Sequence, residues 1–178
     1  AVDIRRWAKE NDIPVSDQEP PTGIRDFAEI NATMSSVTGI PVSNPSVRAA
    51  YDRVYQAMPV QPNIAGFISS QQMGIAQLAF AYCATLVDDP ALRADFWPAF
   101  TTWNSPKGSA FGDRPAVIDP LVDKVVGANL PTQPSQVDIE TEVNSLINTL
   151  LAVPSTNTTA IMKGACSSVL GSAAMLVQ

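Results

Sequence analysis

Histidine is absent from all 178 residues. That removes the commonest general base and the commonest transition-metal ligand. A Ser-His-Asp or Cys-His site has no base to be built on. A zinc site would need four ligands from two cysteines and carboxylates, an unusual set. Covalent haem attachment through C-x-x-C-H is excluded as well, because the two cysteines are Cys83 and Cys166. Concentrated positive charge is also missing. Eleven Lys and Arg face seventeen Asp and Glu, for a net charge of −6, and Arg5 and Arg6 are the sole adjacent basic pair. Neither nucleic acid nor an anionic lipid surface is served by such a distribution. There is no calcium-loop pattern, no internal repeat, and no glycine-rich phosphate loop ahead of Lys107, Gly108 and Ser109.

Charge is absent altogether from residues 54–87. The run is not read as a membrane span. It holds Gln61, Asn63, Ser69, Ser70, Gln71, Gln72 and Gln77, together with Pro59 and Pro62. Each of those amides would need a partner in hydrocarbon. The other charge-free stretch, residues 164–178, is shorter than the roughly 20 residues a span requires. Both read as buried core helices of a chain without a transmembrane segment. No signal peptide is visible, and a start at Ala1 without methionine is expected of a mature or excised form.

What the chain does have is hydrophobic content, 46% of residues, and helical periodicity without strand alternation. The expected fold is all-α: one bundle of about six to seven helices around a long central helix, over residues 24–178. Residues 1–23, with Ile4 and Trp7 and then Pro14, Pro20 and Pro21, are expected to form an extended arm or linker. Residues 24–38 place Phe27, Ile30, Met34 and Val37 on one face, with Gly39 as the stop. Asn44 and Pro45 form a cap and first-turn start. The helix they open carries Val47, Tyr51, Val54, Tyr55 and Met58 inward. The central helix is expected from about Asn63 to Val87. Two apolar stripes run along it, one through Gln71, Ile75, Leu78, Tyr82 and Leu86, the other through Met73, Ala76, Phe80, Cys83 and Val87. Two stripes imply burial on most sides. Asp89 and Pro90, and again Asp119 and Pro120, read as cap-plus-proline starts, the second helix closing at Gly127. Residues 135–152 turn Ile139, Val143, Leu146, Ile147 and Leu150 inward. The last helix, residues 158–177, has one side made of Gly164, Ser167, Ser168, Gly171 and Ala174, small enough for another helix to approach closely.

Cys83 and Cys166 fall on the inward stripes of the two most buried helices. Two buried free thiols would pack well as small hydrophobes. An even count and the lack of metal partners favour a disulfide, and with it an oxidising compartment. Residues 96–111 hold five aromatics, Phe96, Trp97, Phe100, Trp103 and Phe111, in a stretch rich in Pro, Gly, Ser and Thr. Such rings serve either as binding anchors or as the apolar anchors of a loop folded back over the core, the commoner arrangement. The candidate partner-contact residues are Trp97, Phe100, Trp103 and Phe111. Of these Trp97 is expected to pack inward and Trp103 to be the better exposed anchor. The serine and glutamine cluster at the head of the central helix is either a polar pocket or ordinary satisfied polarity. The carboxylate pairs Asp88 and Asp89, Asp119 and Asp123, and Glu140 and Glu142 read as solvated surface. Asn31-Ala32-Thr33 and Asn157-Thr158-Thr159 match the glycosylation acceptor pattern, which is common by chance.

Several phrases resemble a group of uncharacterised extracytoplasmic proteins of marine gammaproteobacteria. They are Phe27-Ala28-Glu29-Ile30-Asn31-Ala32-Thr33-Met34, then Phe67-Ile68-Ser69-Ser70-Gln71-Gln72-Met73 leading to Ala81-Tyr82-Cys83, then Ile118-Asp119-Pro120-Leu121, and finally Val169-Leu170-Gly171-Ser172-Ala173-Ala174. Such proteins are commonly described only through an attached LamG-like, concanavalin-type domain. The resemblance implies that this chain is the helical module of a larger or processed surface protein, and it brings no catalytic residues.

The expected function is a non-catalytic helical binding or assembly module, periplasmic, cell-surface or secreted, with a protein partner and no cofactor. A cofactor-free accessory subunit of a membrane or periplasmic complex, handling electrons in one version, is the runner-up. A carboxylate-only hydrolase with a glycosidase-type acid pair ranks last.

Overall fold

A computed structural model describes residues 25–56, 69–126, 135–172 and 175. Eight helices and no strand occur among them. The first, α1 (Phe27–Thr38), is fixed at both ends by local chemistry. Asp26 accepts from the Glu29 amide and Glu29 accepts from the Asp26 amide, each at 2.8 Å, a reciprocal capping box. Gly39, at φ 72°, ends it in the left-handed region that glycine enters freely. In α2 (Pro45–Tyr55) the Asn44 side chain accepts from Ser46 and Val47, and Pro45 occupies the first turn, as expected. Met58 and the arm expected over residues 1–23 lie outside the described residues.

The central helix, α3, is Ser69–Asp88; residues 63–68 of its expected span lie outside the described residues. Asp89 caps α4 (Pro90–Phe96) through the Ala91 and Leu92 amides. A short α5 (Lys107–Ala110) was not expected. The next helix corrects the reading of Asp119 and Pro120 as a start: α6 (Pro115–Val125) begins a turn and more earlier and carries Pro120 inside. Pro115 supplies the first-turn proline instead, and the Asp113 carboxylate accepts from the Ala116 amide at 3.4 Å. The cost of Pro120, a lost backbone bond, is met by the burial of Ala116, Val117, Ile118, Leu121, Val122 and Val125. Ser135 caps α7 (Gln136–Ala152), of which Val143 and Ile147 are fully inward. Asn157 caps α8 (Thr158–Leu170), which stops at Gly171 rather than running to residue 177. The Arg25 guanidinium reaches the Met175 carbonyl at 3.5 Å just beyond it.

Helix α3 lies against α1, α2, α4 and α8; α8 also meets α6 and α7, which meet each other. The α3–α8 pair is therefore the spine, with three helices on one member and two on the other. Gly171 is where it tightens: a Cβ there would lie 2.9 Å from the Ser167 carbonyl oxygen and 3.4 Å from Ala79 Cβ. The small side anticipated for α8 thus faces two partners, since Gly164 abuts Leu150 of α7.

Candidate functional site: a braced helix pair, an aromatic lid and an uncovered face

Cys83 on α3 and Cys166 on α8 form a disulfide, with Cα atoms 5.7 Å apart, and both residues are buried. Toward the C-terminal end of α3 the Lys163 ammonium meets Asp88 at 2.7 Å. Toward the other end the Gln72 amide donates to the Gly171 carbonyl at 3.0 Å. These contacts run in opposite sequence order along the two helices, so the pair is antiparallel and clasped along its length. Across α3 from this seam, buried Tyr82 donates its hydroxyl to Asn31 Oδ1 at 2.7 Å. Burial pushes the Tyr82 phenol up to about 12.

The aromatic segment folds back on its own chain. Trp97, Phe100 and Phe111 are buried, which removes them from any surface a partner meets on this chain. The reason is local order: a connection this long needs apolar anchors in the core. Trp97 donates its indole N–H to the Val117 carbonyl at 3.1 Å. Phe100 stands edge-on to Trp103 at 4.8 Å and tilted to Phe111 at 5.6 Å. Thr102 donates to the Ala110 carbonyl, and Thr158 of α8 to that of Ser105. Lys107 clamps the loop before α8 through the Val153 carbonyl and Thr156. Trp103 is half-buried, packed on Trp97 and Phe100, and the Arg93 guanidinium lies 4.7 Å above its ring. Lys124 over Phe96 and Arg114 over Phe111 repeat the arrangement. One Arg114 nitrogen bonds Asn148 at 2.8 Å, while the other terminal nitrogen is buried without an acceptor. Desolvation lowers the pKa of that guanidinium.

Sequence reasoning missed a surface on the central helix. Of its second apolar stripe, Cys83 and Val87 are buried, but Met73 is 60% and Phe80 52% exposed. This corrects the expectation of burial on most sides: α1, α2, α4 and α8 lie against α3, and among the described residues no helix covers Met73 and Phe80. Gln77 lies between the two, exposed, and Ala84 continues the line half-buried. A spacing of four, three and four with an amide in its middle is the signal that an uncovered face was present. Of the other polar residues at the head of α3, Gln71 is buried, Gln72 serves the spine, and Gln77 faces outward.

Of the carboxylates, Asp89 is a cap, Asp88 an ion-pair partner and Asp119 an exposed residue within α6. No group of three His, Cys, Asp or Glu residues is placed to hold a metal ion among the described residues. Asn31 is buried in its bond with Tyr82, whereas Asn157 is exposed at a helix cap. No helix among the described residues is long and apolar enough to cross a membrane. Comparison with models of known protein families, with characterised proteins and with solved structures finds no match.

Proposed function

We propose that the chain is a non-catalytic helical binding or assembly module that works outside the cytoplasm. One observation carries the reading: the central helix, free of charge from residue 69 to 87, is braced by a buried disulfide and presents Met73 and Phe80 to solvent. Large apolar side chains aligned on one rigid face are a liability unless something covers them. An aromatic ring flanked by a methionine is the composition of an interface centre. The brace matters because a face already held in shape loses less conformational entropy on binding. A buried cystine fits an oxidising compartment, and the resemblance of its sequence phrases to extracytoplasmic proteins points the same way. The test is the state of the protein in extract from its native source, prepared without reductant. Wild-type chain is expected in a complex larger than itself, and a Phe80→Glu chain is expected to leave that complex. Migration of the wild-type chain as a free monomer under those conditions overturns the reading.

A further inference from the structure

We infer that the uncovered face of α3 pairs with the same face of a second copy of this chain, across a two-fold axis close to Gln77. The inference rests on the assembly reading above and names the partner.

Charge is the first argument. The chain carries −6 overall, so two copies repel through most relative orientations. The outward face of α3 contains none of that charge from residue 69 to 87. It offers nothing to an acidic or basic partner and nothing that repels itself.

Self-complementarity is the second argument. A two-fold interface must match a patch to itself, so that residue i meets j and j meets i. Phe80 lies three residues after Gln77 and Met73 four before it, both exposed. Antiparallel apposition about Gln77 therefore sets Met73 of one copy against Phe80 of the other, twice. A thioether against a ring is a favourable contact. The same operation places Gln77 opposite its own copy. A primary amide is both donor and acceptor, so two of them satisfy each other reciprocally. The half-buried Ala84, beyond Phe80, leaves room for close approach of two helices.

Sedimentation of the purified, disulfide-intact chain over ~1–100 μM tests this. Wild-type protein is expected to form a dimer, and Phe80→Glu to weaken it at least about tenfold, since each copy then sets a carboxylate against an apolar neighbour. Because Phe80 is exposed, Phe80→Glu is expected to melt as wild type does at concentrations below those of pairing, where association adds nothing to stability, which separates lost pairing from lost folding. Gln77→Cys should form a disulfide-linked dimer on mild oxidation. Val137→Cys, at an exposed apolar site on α7, should not. A monomer across the whole range overturns the inference, including the case where this chain's own residues cover the face. A dimer indifferent to Phe80→Glu and unlinked by Gln77→Cys overturns it too. A purified monomer that still enters a larger, Phe80-dependent complex in native extract defeats this inference alone and leaves the assembly reading standing.

Discussion

Tyr82 carries a hydroxyl into the interior, where Asn31 receives it. Replacing it with phenylalanine leaves a buried acceptor without its donor, at a cost of about 1–3 kcal/mol measured by denaturant unfolding at neutral pH. The same residue sets an alkaline limit. Its folded-state pKa is raised from 10.0 to about 12, so its contribution is intact below pH 10 and is lost as pH rises toward 12. In that window unfolding releases one proton from this group, and stability falls by about 1.4 kcal/mol per pH unit on its account. Tyr51 is raised in the same direction, by burial first and then by Tyr55, and adds to the slope. The Tyr82→Phe chain should lose the Tyr82 part and keep the Tyr51 part; an unchanged slope between pH 10 and 12 would count against the assignment. Trp103 gives a second prediction. Its ring contacts Trp97 and Phe100 beneath and Arg93 above. Truncation to alanine is expected to cost about 2 kcal/mol, below the range for a fully buried tryptophan because it is half-buried. The melting temperature should fall by roughly 4–8 °C. Loss of association with the melting temperature unchanged would instead mark Trp103 as an interface anchor.

Among the helices, the α3–α8 seam depends on a missing side chain. At Gly171 an added Cβ meets a backbone carbonyl, which does not yield, and then Ala79 of α3. At Gly164 it meets the tip of Leu150, which turns aside. Gly171→Ala should therefore destabilise by about 1–3 kcal/mol, the range for overpacking. Gly164→Ala, inside a helix where glycine is unfavourable by about 1 kcal/mol, should be close to neutral. Equal effects of the two in chemical denaturation would mean that the seam is looser than these distances. Element boundaries show a related competition. Asp119 and Pro120 look like a helix start in isolation, yet α6 runs through them because its inward residues bury more than one backbone bond is worth.

For the molecule as a whole, the cystine ties the two members of the spine across 83 positions of sequence. Loop-closure entropy for a ring of that size corresponds to about 4–5 kcal/mol, so the Cys83→Ala, Cys166→Ala double variant should unfold at markedly lower denaturant. A midpoint that does not move would show that the brace contributes little beyond packing.

Local chemistry settled much of this molecule in advance. The caps at Asn44 and Asp89, the stop at Gly39 and the inward faces of α1 and α7 depend on neighbours within a turn, so they are legible along the chain. On α2 only Val47 and Val54 are fully buried, and Tyr55, expected inward, is 55% exposed because no neighbouring helix covers that side of the last turn among the described residues. The two cysteines were also legible as a pair, since each lies on the most apolar stripe of its helix. Which stripes meet solvent was not. Met73 and Phe80 have the same character as Cys83 and Val87, and periodicity gives all four one reading. Their fates diverge because a helix has more directions than its neighbours in this bundle occupy, and the placement of α1, α2, α4 and α8 around α3 is a long-range matter. The aromatic segment is the converse case. Without a helical or strand period, its rings could be read either as anchors for a partner or as a loop folded back over the core. Tertiary packing drew Trp97, Phe100 and Phe111 inward, because burying rings was the means by which an irregular connection could be held in one conformation.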